Sequence, residues 1–284
     1  VAYILADIGL DDSTICAALL HDVVEDTEVT QEDITREFGK EISDMVAGVT
    51  KLSNIQFSSV EEQQVEDYRK MFLAMGKDIR VIIIKLADRL NNMQTLFVHS
   101  EKKQKETARE TLDILTPIAD RLGINSIKQD LEELCLRYLK PDEYYDIVEK
   151  LNATKAERDN SVAKMIESVS ELLNKHDIKH EIFGRSKSIY SIHKKLEKGK
   201  RFSEIYDLLA LRILVDTEQD CYQALGIIHS KFRPKPKRFK DYIAMPKTNM
   251  YQSLHTTVFG IDGQLYEIQI RTYEMDRVAE YGIA

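Results

Sequence analysis

The chain has 284 residues, 43% apolar and 31% charged, enough to bury the cores of two ordinary domains. No uncharged apolar run reaches the roughly eighteen residues that a membrane helix needs, so the composition excludes a hydropathy-defined span. The net charge of −8 conceals a split, because residues 1–60 carry twelve acidic against three basic side chains, whereas 185–201 and 231–247 each carry seven basic against one acidic.

A concentrated acidic region suits divalent cations, and a concentrated basic one attracts phosphates. The plainer alternative for a single charge run is a solvated face, and two basic runs of equal excess weaken it. Cys16, Cys135 and Cys221 lie far apart in apolar surroundings and form no CxxC pair. They read as core thiols of a reducing compartment, the cytoplasm. The sequence opens on Val1 without a signal peptide and stops within a helical pattern, which reads as a fragment at both ends.

From Val1 to about Leu139 the periodicity is helical: Asp11, Asp12 and Ser13 offer an N-cap, and Ile15, Ala18 and Leu19 follow at helix spacing. The run Arg80 to Met93 starts with β-branched residues, yet Leu86, Ala87 and Leu90 continue at helical spacing and predict a helix. Pro117 and Pro141 predict helix starts, and residues 143–176 predict long helices that bridge two domains. After Ile178 the period becomes that of strands. Asp207 to Val215 predicts a buried strand, and Thr256 to Arg271 predicts a hairpin whose Asp262-Gly263 turn needs positive φ.

In Leu20-His21-Asp22-Val23-Val24-Glu25-Asp26 an imidazole adjoins a carboxylate, and His21/Glu25 and Asp22/Asp26 are each i, i+4. Such a cluster after apolar residues is costly to bury without a cation or partner. Asp88 sits in a second apolar helix, with Arg89 and Asn92 nearby. Imidazole plus carboxylates can ligate manganese, iron or zinc and activate water; an isolated His-Asp pair on a helix is more often a surface accident. The longer string, with Lys85-Leu86-Ala87-Asp88-Arg89-Leu90, resembles the HD phosphohydrolase superfamily, and HDVVEDT resembles its Rel/Spo branch. The resemblance implies His21, Asp22 and Asp88 as ligands of Mn²⁺, Glu25 and Asp26 as the groups that activate water, and Asn92 beside the nucleotide. The first metal-binding histidine of that family falls upstream of Val1, and Asn91 and Gln94 stand where relatives often carry histidine and arginine.

Farther on, Gly184-Arg185-Ser186-Lys187-Ser188 follows a short strand and opens a helix, where free N–H groups and Arg185 and Lys187 favour phosphate. Ser191 and Lys195 share one face of that helix. Asp207 and Glu267 are the carboxylates set within the two apolar strands; if those strands are neighbours, both can hold Mg²⁺ against nucleotide phosphates, although either alone reads as a strand-end charge. The strings Arg238-Phe239-Lys240-Asp241, Asn249-Met250-Tyr251-Gln252-Ser253-Leu254-His255 and Glu267-Ile268-Gln269-Ile270-Arg271-Thr272 resemble the (p)ppGpp synthetase domain, a relative of nucleotidyltransferases.

That resemblance implies Arg185, Lys187 and Lys195 at ATP, Asp207 and Glu267 at Mg²⁺, and Glu267 as the group that deprotonates the acceptor 3′-hydroxyl, with Ser191 also expected to bind substrate. It places Tyr251 against guanine, with Lys247, Asn249 and His255 lining the acceptor pocket, and Arg238 and Lys240 are expected among the substrate-binding residues. The fold expected is α+β in two domains: an all-α HD-type hydrolase over 1–139, then a mixed α/β nucleotidyltransferase-like synthetase over 140–284, joined by helices. The activity implied is bifunctional: pyrophosphate passes from ATP to the 3′-OH of GDP or GTP, giving AMP and (p)ppGpp, and (p)ppGpp is hydrolysed back to GDP or GTP and pyrophosphate. Partners expected are ATP, GDP or GTP and (p)ppGpp, with ribosome or tRNA met only through domains beyond Ala284, and no membrane. Two-state coupling through the bridging helices would keep the two reactions from running together. A hydrolase with a nucleotide-sensing second domain leaves the Arg238 to Asp241 string and both carboxylates unexplained, and an RNA-binding module leaves Asp207, Glu267 and the HDVVEDT cluster unexplained.

Overall fold

The computed structural model describes residues 1–53, 78–185, 187–202, 205 and 209–282. The chain forms two compact units, Val1–Ala119 with Asp130–Leu139, and Asp120–Gln129 with the chain from Lys140 onward.

Among its described residues the first unit is helical. Helices α1 (Ala2–Asp7), α2 (Asp12–Leu20), α3 (Val23–Asp26), α4 (Gln31–Phe38) and α5 (Lys40–Ser53) precede α6 (Arg80–Gln94). Asp11 caps α2 as expected, accepting from the Thr14 backbone N–H at 2.7 Å. The β-branched start of α6 does not make it a strand, because Val81 to Ile84 are all buried along with Leu86, Ala87, Leu90 and Met93. Burial on nearly every side makes a continuous apolar run compatible with a helix. Next come α7 (Glu101–Glu110), a π turn (Thr111–Leu115), α8 (Thr116–Arg121) and α9 (Asn125–Leu139). Pro117 is the second residue of α8, yet the π turn before it joins α8 to α7 without a break. A ring with no N–H that crowds an earlier carbonyl is tolerated where the hydrogen-bond ladder has already shifted.

In the second unit Pro141 opens α10 (Pro141–Ala153) at a helix start, as predicted, and α11 (Lys155–Asn174) follows. The remaining elements are β1 (His180–Gly184), α12 (Ile189–Glu197), β2 (Ala210–Val215), α13 (Glu218–Lys231), β3 (Lys240–Asp241), β4 (Leu254–Phe259), β5 (Leu265–Thr272) and α14 (Tyr273–Tyr281). They build a mixed sheet of order β1-β2-β5-β4-β3 in which, among the described residues, only β2 and β5 pair in parallel. The described part of the strand predicted from Asp207 begins at Ala210; Asp207 itself lies outside the described residues. The hairpin turn has Gly263 at φ +74, as the Asp-Gly pair requires.

Strand alternation divides the sheet into two faces. Leu211, Ile213, Val258, Ile268 and Ile270 pack into one core with Met165 and Val169 of α11 and Cys221 and Ile228 of α13. The opposite register positions carry Arg212, His255, Glu267, Gln269 and Arg271. Residues 120–129 join this unit because Asn125 Nδ2 donates to Ala279 O at 2.5 Å and Ser126 Oγ donates to Glu280 O at 3.1 Å.

Candidate functional site

The first cluster stands where α2 ends. His21 and Asp22 occupy the turn between α2 and α3, so the helix expected to carry His21 through Asp26 is interrupted there. The interruption brings the polar groups together. His21 Nδ1 lies 2.8 Å from Ala18 O, and with that nitrogen donating, Nε2 keeps its lone pair. Nε2 lies 3.1 Å from Asp22 Oδ2 and 3.6 Å from Asp88 Oδ1, and it is buried without a hydrogen-bond partner. Asp88, buried on α6, accepts from Lys85 Nζ and Asn92 Nδ2, each at 2.9 Å. Burial alone would raise the Asp88 carboxyl, but His21 and Lys85 hold it at about 2. The Asp88 carboxylate in turn raises the His21 imidazole above its usual value, against the effect of burial. Glu25 and Asp26 are exposed on the one-turn helix α3.

These residues fit a divalent metal: an orphaned imidazole nitrogen faces two carboxylates, and its other nitrogen is fixed by a backbone carbonyl, as in metal-ligating histidines. Among the described residues no set of three or more His, Cys, Asp or Glu is already closed around a metal position. Lys85 instead supplies the positive charge at one oxygen of Asp88.

The second cluster lies on the polar face of the sheet. The parallel pairing sets Glu267 opposite Ala210, so β2 and β5 are indeed neighbours. Glu267 Oε1 accepts from Gln269 Nε2 at 3.1 Å and lies 4.0 Å from His255 Nδ1. On the other side of the imidazole, His255 Nε2 is 2.8 Å from the Tyr251 hydroxyl. Burial, then the positive charges of Lys247, Arg185 and Lys240, push His255 down to about 3. The ring is therefore neutral, and with its proton on Nδ1 toward the Glu267 carboxylate, Nε2 accepts from the Tyr251 O–H. Tyr242, Tyr251 and His255 meet edge to face, with centroids 5.3–6.1 Å apart, and Lys247 Nζ lies 4.6 Å from the Tyr251 centroid.

The remaining predicted residues fall around this cluster in different ways. Arg185, half-buried after β1, bonds through its backbone N–H to Ala210 O at 2.9 Å. Lys187 is half-buried before α12, whose cap is Ser188; Ser191 takes part in that cap, at 2.7 Å from Ser188 Oγ, and Lys195 lies one turn on. Arg238 is exposed, and Lys240 lies 6.0 Å from the Tyr242 ring. Asn249 turns to the backbone, donating to Asp120 O at 3.0 Å and accepting from the Tyr251 N–H.

Sequence reasoning missed Arg212, Asp276 and Glu280, and gave Arg271 no role. Arg271 is 1% exposed and, with Arg212, pairs to Asp276 and Glu280 of α14. The available signal was two arginines at non-core positions of buried strands, followed by carboxylates at i, i+4. All three cysteines are free, Cys16 half-buried and the others buried, and burial pushes Cys221 up to about 12.

Comparison with known proteins matches residues 1–125 to the HD domain family and residues 184–284 to the region found in RelA/SpoT proteins. The chain is 49% identical over its whole length to a GTP pyrophosphokinase of Myxococcus xanthus. It is 50% identical, again over its whole length, to a probable guanosine-3′,5′-bis(diphosphate) 3′-pyrophosphohydrolase of Synechocystis. It spans 38% of the length of each. Among solved structures, the small alarmone synthetase 1 from Bacillus subtilis bound to its product pppGpp is 24% identical, with a TM-score of 0.37 over 45% of this chain and 75% of that one.

Proposed function

The chain belongs to the Rel/Spo family, and from that premise we propose that it both makes and degrades (p)ppGpp in the bacterial cytoplasm. The observation that carries the synthetic half is the sequence of contacts from the Tyr251 ring through neutral His255 to Glu267. It offers, in order, a flat face for a purine, a fixed hydrogen-bond partner and a carboxylate for the acceptor hydroxyl. Around it Arg185, Lys240 and Lys247 supply positive charge for two polyphosphates.

In this reading Arg185, Lys187, Ser191 and Lys195 bind ATP and its phosphates. Tyr251 stacks on the guanine of GDP or GTP, while Arg238, Lys240, Lys247, Asn249 and His255 line the acceptor. Glu267 takes the proton of the 3′-hydroxyl, and with Asp207 it would hold Mg²⁺. In the hydrolase His21, Asp22 and Asp88 would hold Mn²⁺, Glu25 and Asp26 orient and deprotonate the water, and Asn92 meets the nucleotide. A divalent cation bound at either site supplies charge neutralisation and a more acidic water or hydroxyl. We assign hydrolysis to residues 1–139 and synthesis to 140–284, with 120–129 packed as part of the synthetic unit.

The test is one preparation assayed twice: with ATP, GDP and Mg²⁺ for AMP and ppGpp, then with ppGpp and Mn²⁺ for GDP and pyrophosphate. Release of both product pairs is expected. Binding of plain RNA that falls steeply with salt, with no turnover of ATP, would replace this reading by one of phosphate-backbone binding.

A further inference from the structure

We infer that Arg271 is a positioning residue for the acceptor nucleotide: held by Asp276 and Glu280 of α14, it fixes the plane of the Tyr251 ring on which guanine stacks. The inference rests on the reading of Tyr251 as the acceptor platform.

A guanidinium as buried as that of Arg271, 1% exposed, persists only when its charge is paired. Its Nε donates to Asp276 Oδ1 at 2.8 Å and its Nη2 to Glu280 Oε1 at 3.1 Å. Asp276 and Glu280 are i, i+4 on one face of α14, whose N-terminus is capped by the Thr272 hydroxyl. Held in this way, the guanidinium carbon lies 5.8 Å from the centroid of Tyr251, within cation–π reach. The hydroxyl of Tyr251 is tied to His255, and its ring is packed by Tyr242 and by Lys247, whose Nζ lies 4.6 Å from the centroid. Of the two cations at the ring, Arg271 is the one held rigidly by ion pairs, and so the one able to fix the ring plane.

Both ends of this contact are anchored to one stretch of backbone. The last turn of α14 accepts from Asn125 and Ser126, and a Cβ on Gly282 would collide with Leu122 O. The loop before Tyr251 is held at Asp120 O by Asn249, with Met250 in the strained region at φ +62. Arg212 reaches the same carboxylates, with Nη1 at 3.2 Å from Asp276 and 2.7 Å from Glu280. Removing Arg271 therefore leaves the acids partnered, and the fold has a means of surviving the change.

The experiment compares the wild-type chain with Arg271→Gln, Arg271→Lys and Asp276→Asn, reading KM for GDP and for ATP, kcat from AMP release, equilibrium binding of a fluorescent GDP analogue, and Tm. For Arg271→Gln we expect KM and Kd for the guanine nucleotide to rise about tenfold, the scale of a desolvated cation–π contact, with KM for ATP within about twofold. Arg271→Lys should recover part of the loss, since it keeps the charge and not the planar fork. Unchanged affinity for GDP in Arg271→Gln would overturn the inference, as would equal rises for both nucleotides with a fallen Tm that Arg271→Lys does not restore. If Arg271→Gln fails to fold, Asp276→Asn decides: a rise for GDP alone supports the positioning role, and no change removes it. A wild-type chain that neither binds GDP nor releases AMP would instead overturn the synthetic reading itself.

Discussion

At the end of α2, two carboxylates converge on His21 and raise its affinity for a proton; on the polar face of the sheet, burial and the charges of Lys247, Arg185 and Lys240 strip His255 of one. The same side chain has opposite fates because at His21 the carboxylates outweigh burial, whereas at His255 burial and surrounding positive charge act together. His21 presents a buried lone pair to a place where positive charge is favoured, the condition of a metal ligand. His255 uses its lone pair internally, accepting from Tyr251, with Lys247, Arg185 and Lys240 around it. In the proposed reading the first site receives a cation and the second polyphosphate, which agrees with the acidic and basic stretches of the chain.

The largest test of that contrast is Glu267→Gln, which keeps the shape of the side chain and removes its basicity. Loss of a positioned general base lowers a rate by about 10²–10⁴, so AMP release from ATP and GDP should fall by that factor while ppGpp hydrolysis keeps its wild-type rate. A parallel fall in hydrolysis would mean that the two reactions share this carboxylate. The converse change, Asp88→Asn, should weaken Mn²⁺ binding about a hundredfold or more, since even groups behind the ligands are worth 10- to 100-fold. Titration calorimetry with Mn²⁺ reads it directly, and undiminished affinity would remove Asp88 from the metal site.

Both sites are legible in the sequence where their chemistry is local. His21-Asp22 and Asp88 stand out as polar groups in apolar helices, and Glu267 and His255 as polar positions in alternating strands. The turn at His21 is less legible, because Asp22 and Val23 show no Gly or Pro to mark it. The pairing of Arg271 with Asp276 and Glu280 depends on the turn from β5 into α14, which strand alternation does not encode. The docking of residues 120–129 against α14 and Asn249 joins segments more than a hundred residues apart, and no local pattern specifies it. Asp207, singled out from sequence, lies outside the described residues.

The two histidines also tilt stability in opposite directions with pH. The folded-state pKa of His255, about 3, lies below the roughly 6.5 of an unfolded imidazole. The unfolded chain therefore takes up a proton that the folded chain refuses; this contribution is complete above about pH 6.5 and is lost as pH falls toward 3. His21 is raised, so in the metal-free chain its contribution is present below about pH 6.5 and lost as pH rises through the folded value. Denaturant unfolding of wild type and His255→Gln at pH 7 and pH 5 separates the two: the wild type should lose about 2 kcal/mol that the variant does not. An identical loss in both would place the acid-sensitive group elsewhere.

The smallest change divides the second site within itself. Tyr251→Phe keeps the ring and deletes only the hydroxyl that donates to His255 Nε2. A net hydrogen bond is worth about 1 kcal/mol, so affinity for GDP should fall by less than about tenfold, with ATP unaffected. Tyr251→Ala removes the face as well, and loss of one stacked base costs about 1–3 kcal/mol. The ratio of KM for GDP to KM for ATP across wild type, Phe and Ala therefore ranks tether against face. If Phe is as damaging as Ala, the platform is made by the link from Tyr251 through His255 to Glu267, and the ring serves mainly to carry the hydroxyl. If Phe is mild and Ala severe, the ring face binds the guanine, and the hydroxyl serves to keep the imidazole neutral and its Nδ1 proton directed at the carboxylate.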